Sequence, residues 1–179
     1  MTRIVAGDAR GRRLAAPRGS RTRPTSDKVR GAVFNVLGQF FEEGEVLDLY
    51  AGTGALALEA LSRGCSRALL VESDPEAADA IQRNAEGCGL GGRVEIRRGR
   101  VLDVLPRLPR SRFALAFVDP PYEQGPEAAL ALLDALVAPG GRVVAEHDAR
   151  RPPAERYGAL ALVDRRAYGG TGISIYQRD

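Results

Sequence analysis

From residue 45 onward, short blocks of apolar residues alternate with longer segments in which apolar positions recur every three or four residues. The blocks Val46-Leu47-Asp48-Leu49-Tyr50, 68–72, 94–97, 114–118 and 142–146 read as strands buried on both faces. Residues 54–63, 75–87, a short stretch near 101–107, and 126–137 carry helical spacing between them. Five strands separated by helices predict a parallel sheet with helices on both sides. The rhythm breaks at the end: 159–165 and 173–177 are strand-like and are joined by Tyr168-Gly169-Gly170-Thr171-Gly172 with no helical segment between them. An antiparallel hairpin fits that ending, giving an α/β fold with a seven-stranded, mostly parallel sheet.

Ahead of this unit, Arg3-Ile4-Val5-Ala6-Gly7 and Arg12-Arg13-Leu14-Ala15-Ala16 are separated by Gly and Asp, which suits a small hairpin. Thr25 or Ser26 can cap a helix with Asp27 in its first turn and Val29, Val33, Phe34, Val36, Leu37 and Phe40 on its apolar side. Residues 1–40 are therefore expected to form a folded hairpin-helix extension, and 41–179 one compact domain.

Charge sharpens this division. Residues 1–30 hold nine Lys or Arg against Asp8 and Asp27, a balance of +7, whereas the other 149 residues carry 17 basic and 21 acidic groups. A basic arm on a mildly acidic body suggests a polyanionic partner gripped at one end, the plainer alternative being a solvated leader. No apolar run approaches the roughly 20 residues needed to cross a bilayer, and the first residues lack a secretory pattern, so a cytoplasmic address is expected. Cys65 and Cys88 lack metal-ligand spacing and read as plain thiols; no metal site is expected. The one histidine, His147, falls at a strand end and reads as a rim residue.

Asp48-Leu49-Tyr50-Ala51-Gly52-Thr53-Gly54-Ala55 runs from the end of the first strand into a helix, where glycines let the backbone approach a ligand. Glu72, twenty residues past Gly52, ends the second strand, where a carboxylate can accept both hydroxyls of a ribose. By itself Gly-x-Gly-x-x-Ala also describes a nicotinamide or flavin site. Asp48 separates the readings: it would repel a pyrophosphate over this turn, whereas it suits the ammonium end of the methionine moiety in S-adenosylmethionine. The alternative for Asp48 is a turn residue bonded to loop amides. After the third strand, Arg100 stands where an acid reading the adenine is expected, and Asp103 comes three residues late, as either ligand or helix-capping residue.

Asp119-Pro120-Pro121-Tyr122 follows the fourth strand. The exocyclic amine of a base is a poor nucleophile because its lone pair is delocalised into the ring. Two acceptors holding its hydrogens, the Asp119 side chain and the Pro120 carbonyl, can turn the lone pair toward a methyl donor. Consecutive prolines fix that carbonyl and add no competing N–H, and Tyr122 offers a face for stacking. The plainer reading is a rigid strand-to-loop turn.

Together the chain resembles the RsmD-type 16S ribosomal RNA guanine-N2 methyltransferases nearly end to end. The resemblance rests on Arg23-Pro24-Thr25-Ser26-Asp27-Lys28-Val29-Arg30 with Phe34-Asn35, on Arg3 to Gly7 with Gly11-Arg12-Arg13-Leu14, and on Ile175-Tyr176-Gln177-Arg178; Gly31 departs from it, since Glu is expected there, as does Arg100. It implies a class I methyltransferase (Rossmann-like) fold and transfer of a methyl group from S-adenosylmethionine to guanine N2 in 16S ribosomal RNA, in the 30S subunit or an assembly intermediate; nothing in the sequence demands more than a monomer, which is the expected state. The implied catalytic residues are Asp119, Pro120, Pro121 and Tyr122. The implied cofactor contacts are Thr25, Arg30, Asp48, Ala51, Gly52, Thr53, Gly54, Glu72, Ser73, Val101, Asp103 and Asp119. Arg10, Arg12, Arg13, Arg21 and Arg23 are the expected RNA contacts. The alternatives are an adenine-N6 or protein glutamine amide methyltransferase and, more distantly, a nicotinamide-dependent oxidoreductase.

Overall fold

The computed structural model describes residues 2–16, 27–38, 41–121 and 123–179. Helix α1 (Asp27–Leu37) precedes strand β1 (Glu45–Leu49), and α2 (Ala55–Ser62), β2 (Arg67–Glu72), α3 (Pro75–Gly87) and β3 (Val94–Arg98) follow. Helix α4 (Val101–Val104), extended by a 3₁₀ turn, leads to β4 (Phe113–Val118), α5 (Glu127–Leu133) and β5 (Val137–Asp148). Strands β6 (Arg156–Tyr157), β7 (Leu160–Tyr168) and β8 (Thr171–Arg178) close the chain. The strands form one sheet in the order β3-β2-β1-β4-β5-β8-β7-β6. Pairing is parallel from β3 to β5 and antiparallel beyond, as the break in rhythm after residue 148 implies. The seven expected strands are present, and the two-residue β6 adds an eighth on the outer edge of β7.

Alternation along the strands divides the core in two. Val46, Leu70, Leu115, Phe117, Val144 and Ile173 face the N-terminal hairpin, α1, α2 and α3, while Leu47, Leu69, Ala116, Val118, Val143 and Ala145 face α4 and α5. Covering both faces explains why β2 and β4 read as nearly continuous apolar runs and why β1 does so apart from Asp48. The expected helix over 126–137 stops at Leu133, and β5 begins at Val137 rather than at 142. Val137 pairs with Phe113, and the next pair, Leu115 with Arg142, lies beyond a register shift that takes up Pro139-Gly140-Gly141. An apolar triplet such as Leu136-Val137-Ala138 has the same periodicity in either state, so pairing with β4 decided it.

The hairpin joins Arg3 to Arg13 in an antiparallel bridge, and Ile4, Ala9 and Leu14 enter the core beside α2. Both cysteines are buried and unbridged, and burial pushes the Cys65 thiol up to about 12. No helix among the described residues is long and apolar enough to cross a membrane.

His147 locks the ends of β5 and β8 together. Its Nδ1 lies 2.8 Å from the Asp148 carbonyl, which can only accept, so Nδ1 carries the proton. Nε2 then accepts from the Ser174 hydroxyl at 2.8 Å, and that oxygen accepts from Arg165 Nε at 3.0 Å. The ring occupies the space of a side chain at Gly172, where a Cβ would fall 2.2 Å from His147 Cε1. Burial lowers the imidazole pKa, assisted by Arg165 and opposed by the Asp148 carbonyl, Glu127 and the Asp148 carboxylate. Folding thus favours the neutral ring, and its contribution to stability is present above the ordinary 6.5 and lost as pH falls through the lower folded value. Titration of the one imidazole Cε1–H by NMR should give a midpoint below 6.5 in the folded protein, and a midpoint at or above it would contradict this arrangement.

Candidate active site at the carboxyl ends of the central strands

Sheet order reverses between β1 and β4, and a crevice opens there because the connections leave these strands toward opposite faces. Tyr50, the first residue after β1, has φ 60, an uncommon conformation for a side chain of this size and one that recurs at ligand-binding turns. The chain continues through Ala51, Gly52 and Thr53 along the crevice to Gly54, the N-cap of α2. Glu72 holds this loop from the neighbouring strand: one carboxylate oxygen accepts from Gly52 N at 2.8 Å and the other from Asp74 N at 2.9 Å. The twenty-residue spacing read in the sequence is a direct hydrogen bond in the structure.

Asp48 sits beneath the loop, 2% exposed, and accepts from Ala57 N in the first turn of α2 at 3.1 Å. Burial drives its pKa well above the ordinary carboxylate value; the Ala57 bond opposes the rise and the nearby negative charges of Asp119 and Glu72 add to it. Three carboxylates around one crevice suit a cation and disfavour an anion such as a pyrophosphate.

Asp119 continues β4, with Pro120 and Pro121 beside it on the wall of the same cleft, whose volume is ≈1350 Å³. The Pro121 carbonyl accepts from Gln124 N at 2.9 Å, whereas among the described residues no backbone amide donates to the Pro120 carbonyl. That oxygen is the second acceptor expected from the sequence. Arg30, Ser73 and Val101 also line the cleft, while Gly54 lies behind the loop, within reach of Leu70 and Ile81. Asp103 is exposed in the first turn of α4 and does not line the cleft; Arg100 holds the N-cap position and does line it. Arg10, Arg12 and Arg13 are exposed on the hairpin. Thr25, Arg21, Arg23 and Tyr122 lie outside the described residues.

Sequence reasoning passed over the groups that seat the hairpin against this site. Glu59, fully buried on α2, accepts from Val5 N at 2.7 Å, Ala6 N at 3.0 Å and Arg63 Nε at 2.8 Å, and its second oxygen lies 3.9 Å from Arg30 Nε. Ser62 donates to the Ala6 carbonyl at 2.6 Å and accepts from Ala9 N at 2.9 Å. The fit is close enough that a Cβ on Gly7, whose φ is +82, would fall 1.7 Å from the Ser62 carbonyl oxygen. Asn84 on α3 accepts from Ala15 N at 2.8 Å and donates to the carbonyls of Ala15 and Thr53, both at 3.0 Å, tying the hairpin to the glycine loop. The available signal was an acid within Leu58-Glu59-Ala60-Leu61, a stretch otherwise suited to full burial.

A parallel sheet reversing at β1 and β4, an antiparallel closing hairpin, a buried acid under a glycine loop, and an acid followed by two prolines at the end of β4 together define a class I methyltransferase. A Salinibacter ruber RNA methyltransferase, solved in complex with S-adenosyl-L-homocysteine, shares this fold with TM-score 0.67 at 20% identity, over 87% of this chain and 94% of that one. The chain belongs to the RsmD-type methyltransferase family, whose model, described as "Conserved hypothetical protein 95", matches residues 2–177. YlbH of Bacillus subtilis (strain 168), named as a candidate rRNA methyltransferase, is 36% identical over 181 residues, 98% of each chain. Ribosomal RNA small subunit methyltransferase D of Escherichia coli (strain K12) is 35% identical over 123 residues, 69% of this chain and 61% of that protein.

Proposed function

We propose that this protein methylates the exocyclic N2 amine of a guanine in 16S ribosomal RNA, with S-adenosylmethionine as methyl donor, acting in the cytoplasm as a monomer on the 30S subunit or an assembly intermediate. The observation that carries the reading is the shared cleft lined by the buried Asp48, the half-buried Glu72, Asp119 and Pro120. When bound, S-adenosylmethionine supplies an electrophilic methyl group. The residues fit that group: Asp48 is a buried carboxylate under like-charge stress, which the cofactor's ammonium would relieve, and Glu72 keeps lone pairs for the ribose hydroxyls. Ala51, Gly52, Thr53, Gly54, Ser73 and Val101 shape the loop and walls, Arg30 lines the cleft from α1, Thr25 is a further expected cofactor contact, and Asp103 is an outlying one.

Asp119 and the Pro120 carbonyl accept the two N–H bonds of the target amine and aim its lone pair at the cofactor side of the cleft. Pro121 fixes the carbonyl and Tyr122 stacks on the extruded base. No strong base is required beforehand, because the amine becomes acidic on methylation. Residues 1–40 act as the RNA-holding and cofactor-covering extension of a catalytic domain spanning 41–179. Arg10, Arg12, Arg13, Arg21 and Arg23 hold phosphates, so affinity for RNA should fall steeply with salt.

Asp48→Asn removes the charge that meets the ammonium while keeping an acceptor for Ala57 N. Calorimetry should show cofactor affinity reduced about 10–100-fold, the range for a lost charge-assisted hydrogen bond; unchanged affinity would remove Asp48 from the cofactor site. The function itself is tested by transfer of radiolabelled methyl to 16S ribosomal RNA and to 30S particles from a strain lacking this gene, with the labelled nucleoside identified after digestion. N2-methylguanosine is expected, and N6-methyladenosine or labelled protein glutamine would overturn the guanine assignment.

A further inference from the structure

Glu146 has no part in the reading so far, yet it stands beside the reacting position. The parallel register pairs Val118 with Ala145, so the next residues, Asp119 and Glu146, lie side by side at the ends of β4 and β5. Both belong to the alternation of Phe117 and Val144, which face α1 and α2, and both line the main cleft. They also meet in a small pocket beneath it, against Val33, Leu56 and Ile173. Adjacent strands are about 4.8 Å apart, so the two carboxylates can address neighbouring atoms of one planar ring.

Two half-buried acids at adjacent strand ends, against an apolar wall, offer several acceptor lone pairs to one ligand edge, an arrangement that favours a ligand presenting several adjacent donors. Guanine presents such an edge: N1–H lies next to the two hydrogens of N2. Adenine places the unprotonated N1 beside its amine, and a glutamine side chain places its carbonyl oxygen there. In both, a lone pair would point at a carboxylate.

We infer that Glu146 is a specificity residue that accepts the N1–H of the target guanine while Asp119 and the Pro120 carbonyl hold N2, so that the pair of strand-end acids selects a guanine over an adenine or an amide. The inference rests on the guanine-N2 reading above and explains how this site enforces it. An acceptor placed for a donor inside a closed base pocket rejects the analogue that lacks it, because the charge is then left facing a lone pair.

The probe is 2-aminopurine, which keeps the C2 amine but has no N1–H. The wild-type protein is first assayed on 30S particles from the strain lacking the gene, and a labelled nucleoside other than N2-methylguanosine would overturn the guanine reading before any variant is made. Particles are then reconstituted with guanine or 2-aminopurine at the methylated position, and kcat/KM is measured for the wild type, Glu146→Ala and Glu146→Gln. Binding of S-adenosylhomocysteine serves as the check on folding. The wild type should prefer guanine by about 10–100-fold. Glu146→Ala should lose activity on guanine, gain on 2-aminopurine because no carboxylate then faces its N1 lone pair, and so abolish the preference. Glu146→Gln should keep part of the guanine activity through its amide oxygen and gain on 2-aminopurine, since the amide nitrogen can donate to N1. A purely structural role would lower both substrates together and leave their ratio intact; a Glu146→Ala protein that binds cofactor and retains the wild-type ratio overturns the inference.

Discussion

Asp119→Ala should reduce methyl transfer about 10³-fold while S-adenosylmethionine still binds, because the lost group acts on the target amine more than on the cofactor. An acceptor aimed at charge that develops during reaction contributes about 10²–10³ in rate, and alanine also removes the group that orients the amine. Asp119→Asn should retain more activity than alanine, since its amide oxygen still accepts one N–H. Single-turnover methylation with saturating RNA, paired with calorimetric cofactor titration, separates the effects. Wild-type turnover in Asp119→Ala would remove the residue from the reaction. A loss of cofactor binding equal to the loss of rate would instead make it part of the cofactor site, whose acid cluster it adjoins. The family assignment would stand under either outcome, since it depends on the whole chain.

The second large effect belongs to stability. Glu59→Ala should destabilise the protein by about 3–5 kcal/mol, the range for breaking a buried ion pair from one side. The change removes the acceptor for Val5 N and Ala6 N and takes the counter-charge from Arg63 at 2.8 Å and from the vicinity of Arg30. Against a total of about 5–15 kcal/mol for a domain, that is a large share. Urea denaturation should show a lower midpoint at similar slope, and the hairpin should become the first segment cut in limited proteolysis. Glu59→Gln should be milder, because its oxygen can still serve one backbone amide. A midpoint within experimental error of wild type in Glu59→Ala would show that the core contacts of Ile4, Ala9 and Leu14 suffice to seat the hairpin.

Such a result would bear on function as well as on folding. The Glu59 and Asn84 ties place a basic hairpin against the cofactor loop, so the segment expected to hold RNA and the segment expected to hold the methyl donor share one packed unit. Loosening the hairpin should therefore weaken RNA engagement even where the Asp119 end of the cleft is intact.

The strands of the parallel sheet and its closing hairpin were legible along the chain because burial on one or two faces imposes a period that local sequence carries directly, whereas the strand order and its reversal between β1 and β4 came only with the structure. The glycine loop, Asp48, Glu72 and Asp119-Pro120-Pro121 were legible for a related reason: turn chemistry and strand ends are short-range features. The strand start at Val137 was not, since an apolar triplet is compatible with helix or strand until a neighbour pairs with it. Two-residue β6 carries too little pattern to be seen at all.

What only the tertiary structure decided are partnerships between residues distant in the chain. Glu59 reads as an anomaly in an apolar helix until Val5 and Ala6 are brought to it, and Asn84 reads as a surface amide until Ala15 and Thr53 arrive. Arg100 and Asp103 differ by three residues in sequence, and the turn into α4 leaves the first on the cleft and the second facing outward. Glu146 becomes a neighbour of Asp119 through the register of β4 and β5 alone. Periodicity specifies which face of an element is buried; the physical reason it stops there is that hydrogen bonds and charge pairing depend on which elements meet, and packing of the whole chain sets that.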